Sequence, residues 1–81
     1  MEFDHKAMGQ TIRRLRDLRE DADLTQNQVA QYLNISQTGY SKYETGKNGI
    51  PTQVLIALAA FYGTSVDYLL GITSCRKPYS P

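Results

Sequence analysis

The stretch "TQNQVAQYLNISQTGYSKYETG", Thr25 to Gly46, decides how this chain folds. Thr25 and Gln28 have capping-box spacing, in which the hydroxyl accepts the Gln28 N–H and the glutamine reaches back to the Thr25 N–H. Leu24 and Val29 stand at the spacing of a hydrophobic staple, and Val29, Ala30 and Leu33 give the helix that follows an inner face. Asn34 is among the few non-glycine residues that tolerate the left-handed conformation closing a helix. Ser36 then caps a third segment, and Ile35 with Tyr40 repeats the staple spacing.

Two capped helices across so tight a turn, with Ala30 small enough for close approach, give a helix-turn-helix pattern. Working outward, the spacing predicts a first helix from about Met8 to Ala22. Leu15, Leu18, Arg19 and Ala22 form its inward stripe, and Met8 and Ile12 extend it. Gly46 ends the third helix within the loop "GKNGIP". Pro51 opens a fourth helix with the stripe Leu55, Leu58, Ala59 and Tyr62, which Gly63 ends. Ser65 caps a short fifth helix whose Asp67 suits its positive end. The expected fold class is all-α, five helices over residues 8–73, with an N-terminal extension 1–7 and a flexible tail 74–81.

At 81 residues the chain has room for one small domain, in which helix caps and paired polar groups matter. Apolar residues at 41% and charged residues at 21% fit an ordinary soluble globule. The longest mostly apolar run, Val54 to Tyr62, is too short for a bilayer, which takes about 20 residues. The N-terminus has no apolar signal core, so a cytoplasmic location is expected. One cysteine, Cys75, excludes an internal disulfide, and with a single histidine, His5, it leaves no metal constellation. No cofactor and no small-molecule ligand is implied. No paired carboxylates, nucleophile–base pair or phosphate loop appears, so no catalytic residue is assigned and an enzyme is not expected.

Charge is informative through its distribution rather than its total of +1. Arg13, Arg14, Arg16 and Arg19 alternate with Asp17, Glu20, Asp21 and Asp23. Between Ser36 and Gly49, however, Lys42 and Lys47 are balanced only by Glu44. Tyr40, Tyr43 and Glu44 share one helix side by their i, i+3, i+4 spacing, which puts the carboxylate inward. The outward face then holds Gln37, Thr38, Ser41, Lys42 and Thr45, all able to hydrogen-bond and none acidic.

These residues carry a family resemblance. "LREDADLTQNQVAQYLNIS", "SKYETGKNGIP" and "LAAFYGTSVDYLLG" resemble the DNA-binding domain of XRE-type bacterial regulators, which share a fold with phage lambda-type repressors and Cro. The likeness runs from about Gly9 to Thr73. It implies that the third helix lies in the DNA major groove and that the start of the second contacts the backbone. By position, Gln37, Thr38, Ser41 and Lys42 are the expected base readers. Gln26, Tyr43, Thr45, Lys47 and Asn48 are the expected backbone contacts. The resemblance also implies a buried structural ion pair, at Arg19 and Glu44. Where such regulators often carry glycine, this chain has Asp23. Chemically, glutamine pairs with adenine N6 and N7, and lysine donates to guanine O6 and N7.

The expected function is sequence-specific double-stranded DNA binding as a transcriptional regulator, a repressor. A good base contact discriminates by about 1–3 kcal/mol, and a specific regulator needs roughly 4–10 kcal/mol over random DNA. A homodimer on a pseudo-palindromic operator is the economical answer, with its interface near Tyr68, Leu70 and Ile72. The alternatives are an antitoxin or accessory subunit with secondary DNA binding, or an adaptor that has lost it. RNA is disfavoured because such a helix cannot enter the deep, narrow groove of A-form duplex.

Overall fold

Four of the five helices end in the same way, and that repetition sets the architecture. In the computed structural model, which describes residues 5–77 with side chains from residue 9, the helices are α1 (His5–Asp21), α2 (Gln26–Leu33), α3 (Gln37–Thr45), α4 (Thr52–Tyr62) and α5 (Val66–Leu70). After α1, α2, α4 and α5 the chain turns through a residue in the left-handed region: Asp23, Asn34, Gly63 and Gly71. In each case the residue after it sends its N–H back to a carbonyl five positions earlier, as Ile35 does to Ala30 at 3.0 Å. This is the Schellman closure, and it satisfies carbonyls the helix leaves free.

The starts are equally local. Both halves of the Thr25–Gln28 capping box form, at 3.1 and 2.8 Å. Ser36 accepts the Gly39 N–H at 3.0 Å, and Ser65 accepts the Tyr68 N–H at 3.0 Å. Pro51, expected inside α4, is instead its N-cap, and its carbonyl takes the N–H of Val54 and Leu55. Proline has no side-chain acceptor, so that start relies on the fixed φ alone.

Each helix contributes to one core: Leu15 and Leu18, Val29 and Ala30, Tyr40, Leu55, Leu58 and Ala59, and Leu69. Leu24, Leu33, Ile35 and Tyr62 pack against it partly buried. α2 packs on α3, α1 lies across both α3 and α5, and α4 meets α5. α1 starts at His5, three residues before the expected boundary. Ala22, expected on the inward stripe, is exposed because α1 closes at Asp21 and the stripe's periodicity stops there. Residues 1–4 and 78–81, the side chain of His5 and the place of Met8 on the stripe lie outside the described residues.

Two further departures concern the C-terminal segment. Arg14, which alternates with acids in the sequence, donates through Nη1 to the carbonyls of Tyr68 and Thr73. Its guanidinium lies 4.1 Å from the Tyr68 ring centroid, a cation–π distance. Residues 74–77, expected in a free tail, return to the domain. The Thr64 hydroxyl donates to the Arg76 carbonyl, and Arg76 pairs with Asp21 at 3.0 Å. That last pair is exposed on both sides and contributes little.

The turn after α1 makes a direct prediction. Asp23 sits at φ 56°, where a Cβ is strained and glycine is not. Asp23→Gly is expected to stabilise the domain by about 0.5–1 kcal/mol and Asp23→Ala to destabilise it, read from thermal melts.

Candidate nucleic-acid interface

The outer face of α3 depends on what lies behind it. α3 buries only Tyr40 and Glu44, and the Glu44 side chain is 0% exposed. A bare carboxylate there would carry a large desolvation cost. Arg19 meets it as a two-pronged fork: Nε donates to Oε2 at 2.8 Å and Nη2 to Oε1 at 3.1 Å. The third prong, Nη1, donates to the Leu24 carbonyl at 2.9 Å, in the turn leading to α2. Gln26, in the first turn of α2, adds an amide N–H to Oε1 at 3.2 Å. One buried acid thus joins α1, the α1–α2 turn, α2 and α3.

Burial on its own raises the Glu44 pKa. The hydrogen bonds from Arg19 oppose it, Gln26 adds to them, and the carboxyl ends below its ordinary value. The Tyr40 hydroxyl helps electrostatically from nearby, although its geometry falls short of a hydrogen bond. Tyr40 itself is pushed well above the usual phenol range, by burial first and then by the Glu44 charge. Burial and the same charge push Tyr62 up to about 12. Both phenols therefore stay neutral at any ordinary pH.

With Glu44 withdrawn, the solvent side of α3 keeps no acid. Gln26, Gln37, Thr38, Ser41, Lys42, Thr45 and Lys47 line one open groove of about 470 Å³. Gln37, Thr38, Lys42, Thr45 and Lys47 differ in exposure from Gln26, which is half-buried by its bond to Glu44. All seven are residues that the sequence singles out, and the structure brings them together from α2, α3 and the loop beyond. Two others stand apart from this lining. Tyr43 packs against the core with its ring edge-on to Tyr40, centroids 6.3 Å apart. Asn48 is exposed, its backbone N–H closing the loop onto the Lys42 carbonyl at 3.2 Å.

The first helical N–H groups of α2 and α3 are not consumed by helix bonds, apart from those taken by Thr25 and Ser36. Both helix starts are therefore suited to anionic oxygen without adding net charge. Among the described residues no group of histidine, cysteine or acids is arranged to hold a metal, and no helix is long and apolar enough to cross a membrane.

Residues 15–69 match the helix-turn-helix family, and the chain belongs to it. Among curated relatives, the uncharacterized HTH-type transcriptional regulator YobD of Bacillus subtilis is 40% identical over 65 residues, 80% of this chain and 58% of YobD. The HTH-type transcriptional repressor RghR of the same species is 46% identical, over 80% of this chain and 54% of RghR. A crystal structure of a transcriptional regulator from Listeria innocua superposes with a TM-score of 0.72 at 29% identity, covering 76% of this chain and 58% of that one. The chain thus spans little more than half the length of each of these three.

The ion pair has consequences for stability. Glu44→Leu and Arg19→Met each leave a charge without its partner and are expected to cost about 3–5 kcal/mol, while the double variant costs far less than the sum. Because the folded Glu44 pKa is depressed, its contribution is fully present above about pH 4.5 and is lost as pH falls through the folded value. Urea melts from roughly pH 3 to 7 should therefore show an acid-side loss of stability that Glu44→Gln flattens.

Proposed function

We propose that this domain binds double-stranded DNA with α3 in the major groove and acts as a sequence-specific transcriptional regulator, a repressor. The observation that carries this reading is the acid-free groove: Gln37, Thr38, Ser41 and Lys42 share the outer side of α3, while the only acid of that helix is turned inward. Gln37 and Lys42 supply the hydrogen-bond patterns that read adenine and guanine edges, and the Thr38 methyl suits a thymine methyl. Gln26, Thr45 and Lys47 line the same groove and are assigned to the duplex backbone. Tyr43 and Asn48 are assigned backbone contacts beside the end of α3. The name of RghR as a repressor supports the sign of regulation.

One such helix gives little specificity, so the operator is proposed to be pseudo-palindromic and read by a homodimer, with half-sites about 10 bp apart or a multiple of that. Leu70 and Ile72, 38% and 70% exposed beyond the core, are the proposed contact surface. Tyr68, also expected there, is held beneath the Arg14 guanidinium. The location proposed is the cytoplasm.

Selection from a random duplex library tests this reading. A defined two-fold site is expected, with Gln37→Ala or Lys42→Ala relaxing preference at single base positions by about 1–3 kcal/mol. Lys47→Ala should weaken binding to all sequences alike and reduce the salt slope by about 1. Recovery of no consensus, with unchanged affinity in the Gln37→Ala, Lys42→Ala double variant, would refute it.

A further inference from the structure

We propose that Glu44 is a positioning residue for Gln26, so that the buried ion pair sets the donor pattern of the groove as well as holding the fold; this rests on the DNA-binding reading above. Gln26 Nε2 lies 3.2 Å from Glu44 Oε1. An ionised carboxylate only accepts, so the amide nitrogen must face it and the amide oxygen cannot. A glutamine free in solvent presents either end of its amide; this one is held one way round. Its inward N–H is used by Glu44. One N–H and the carbonyl oxygen remain for whatever occupies the groove.

The anchor behind it is held at several points. Glu44 is wholly buried and gripped at both oxygens by Arg19, which is itself tied to the Leu24 carbonyl. Gln26 therefore meets a partner already ordered, whereas the exposed Gln37 and Lys42 must still be fixed when they bind. The free N–H of Gln26 also sits in the first turn of α2, beside backbone N–H groups that the helix leaves open. Together they present oriented neutral donors to a phosphate oxygen.

The bond is not needed to satisfy the acid. Each Glu44 oxygen already receives an Arg19 N–H, and Oε1 takes Gln26 as a second donor. Removing Gln26 leaves the fork whole. Removing the carboxylate releases Gln26. The two residues thus stand in an ordered relation, with Glu44 acting through Gln26 on the groove.

A double-mutant cycle on duplex affinity at fixed salt tests this, using Gln26→Ala, Glu44→Asp and the pair. Glu44→Asp keeps the charge for Arg19 but withdraws the carboxylate by one methylene. Gln26→Ala is expected to weaken binding about three- to tenfold, the worth of one hydrogen bond. Glu44→Asp should weaken it comparably in the parent chain and hardly at all in the Gln26→Ala background. An equal loss in both backgrounds overturns the proposal. If Gln26→Ala is neutral while Gln37→Ala and Lys42→Ala still weaken binding, the Gln26 contact and this proposal fall and the DNA reading stands. Should Glu44→Asp unfold, side-chain amide spectra of the unaltered protein decide. Gln26 is expected to show one downfield, slowly exchanging proton, and a signal like that of exposed Gln37 overturns the proposal.

Discussion

The Arg19–Glu44 fork is the constraint on which the rest of this structure depends. α3 is nine residues long and polar, and Tyr40 is its only fully buried apolar side chain. So short a helix has little intrinsic stability and must be held by tertiary contacts. A second apolar residue at position 44 would supply burial, since buried pairs are energetically replaceable by apolar ones. An apolar contact, however, permits sliding and rotation. A planar guanidinium meeting a planar carboxylate at two points does not. The pair gives α3 its direction, and the groove exists because that direction is fixed.

The same arrangement reconciles the proposed function with a net charge of +1. Acidic residues are plentiful, but the one on α3 is sequestered and the others lie mainly on α1 and in the turn after it. What remains on the outer face of α3 is basic or neutral. Much of the proposed backbone binding comes from amides and helix starts, which add donors without adding charge. Such a surface depends less on ionic strength than a lysine-rich one would.

How much of this was legible in the sequence follows from the range of each interaction. The caps at Thr25, Ser36 and Ser65 and the closure at Asn34 are decided within a few residues, so their spacing reads directly. The inward place of Glu44 follows from helical periodicity, and a buried acid demands a partner. Arg19 follows from its place on the inward stripe of α1 together with the family resemblance. Long-range contacts left no such trace. Arg14 looks like any surface arginine until the carbonyls of Tyr68 and Thr73 arrive from the far end of the chain. The stacking of Tyr32 on Phe61, centroids 4.2 Å apart, likewise joins α2 to α4 without any local signal. The sequence marked Gln26 for a phosphate but not its bond to Glu44, which needs α2 and α3 in place. Asp23 departs from the family's glycine, and its positive φ explains why glycine is favoured there.

In the proposed function α3, braced from behind by Glu44, is the surface that meets the duplex. Titrating isotope-labelled protein with duplex DNA at low salt and following backbone and side-chain amide shifts tests it most directly. The largest changes are expected on Gln26 and on the segment from Gln37 to Asn48, with the outer face of α4 unaffected. Shifts concentrated on α4 and α5, with Gln37 and Lys42 unmoved, would contradict it.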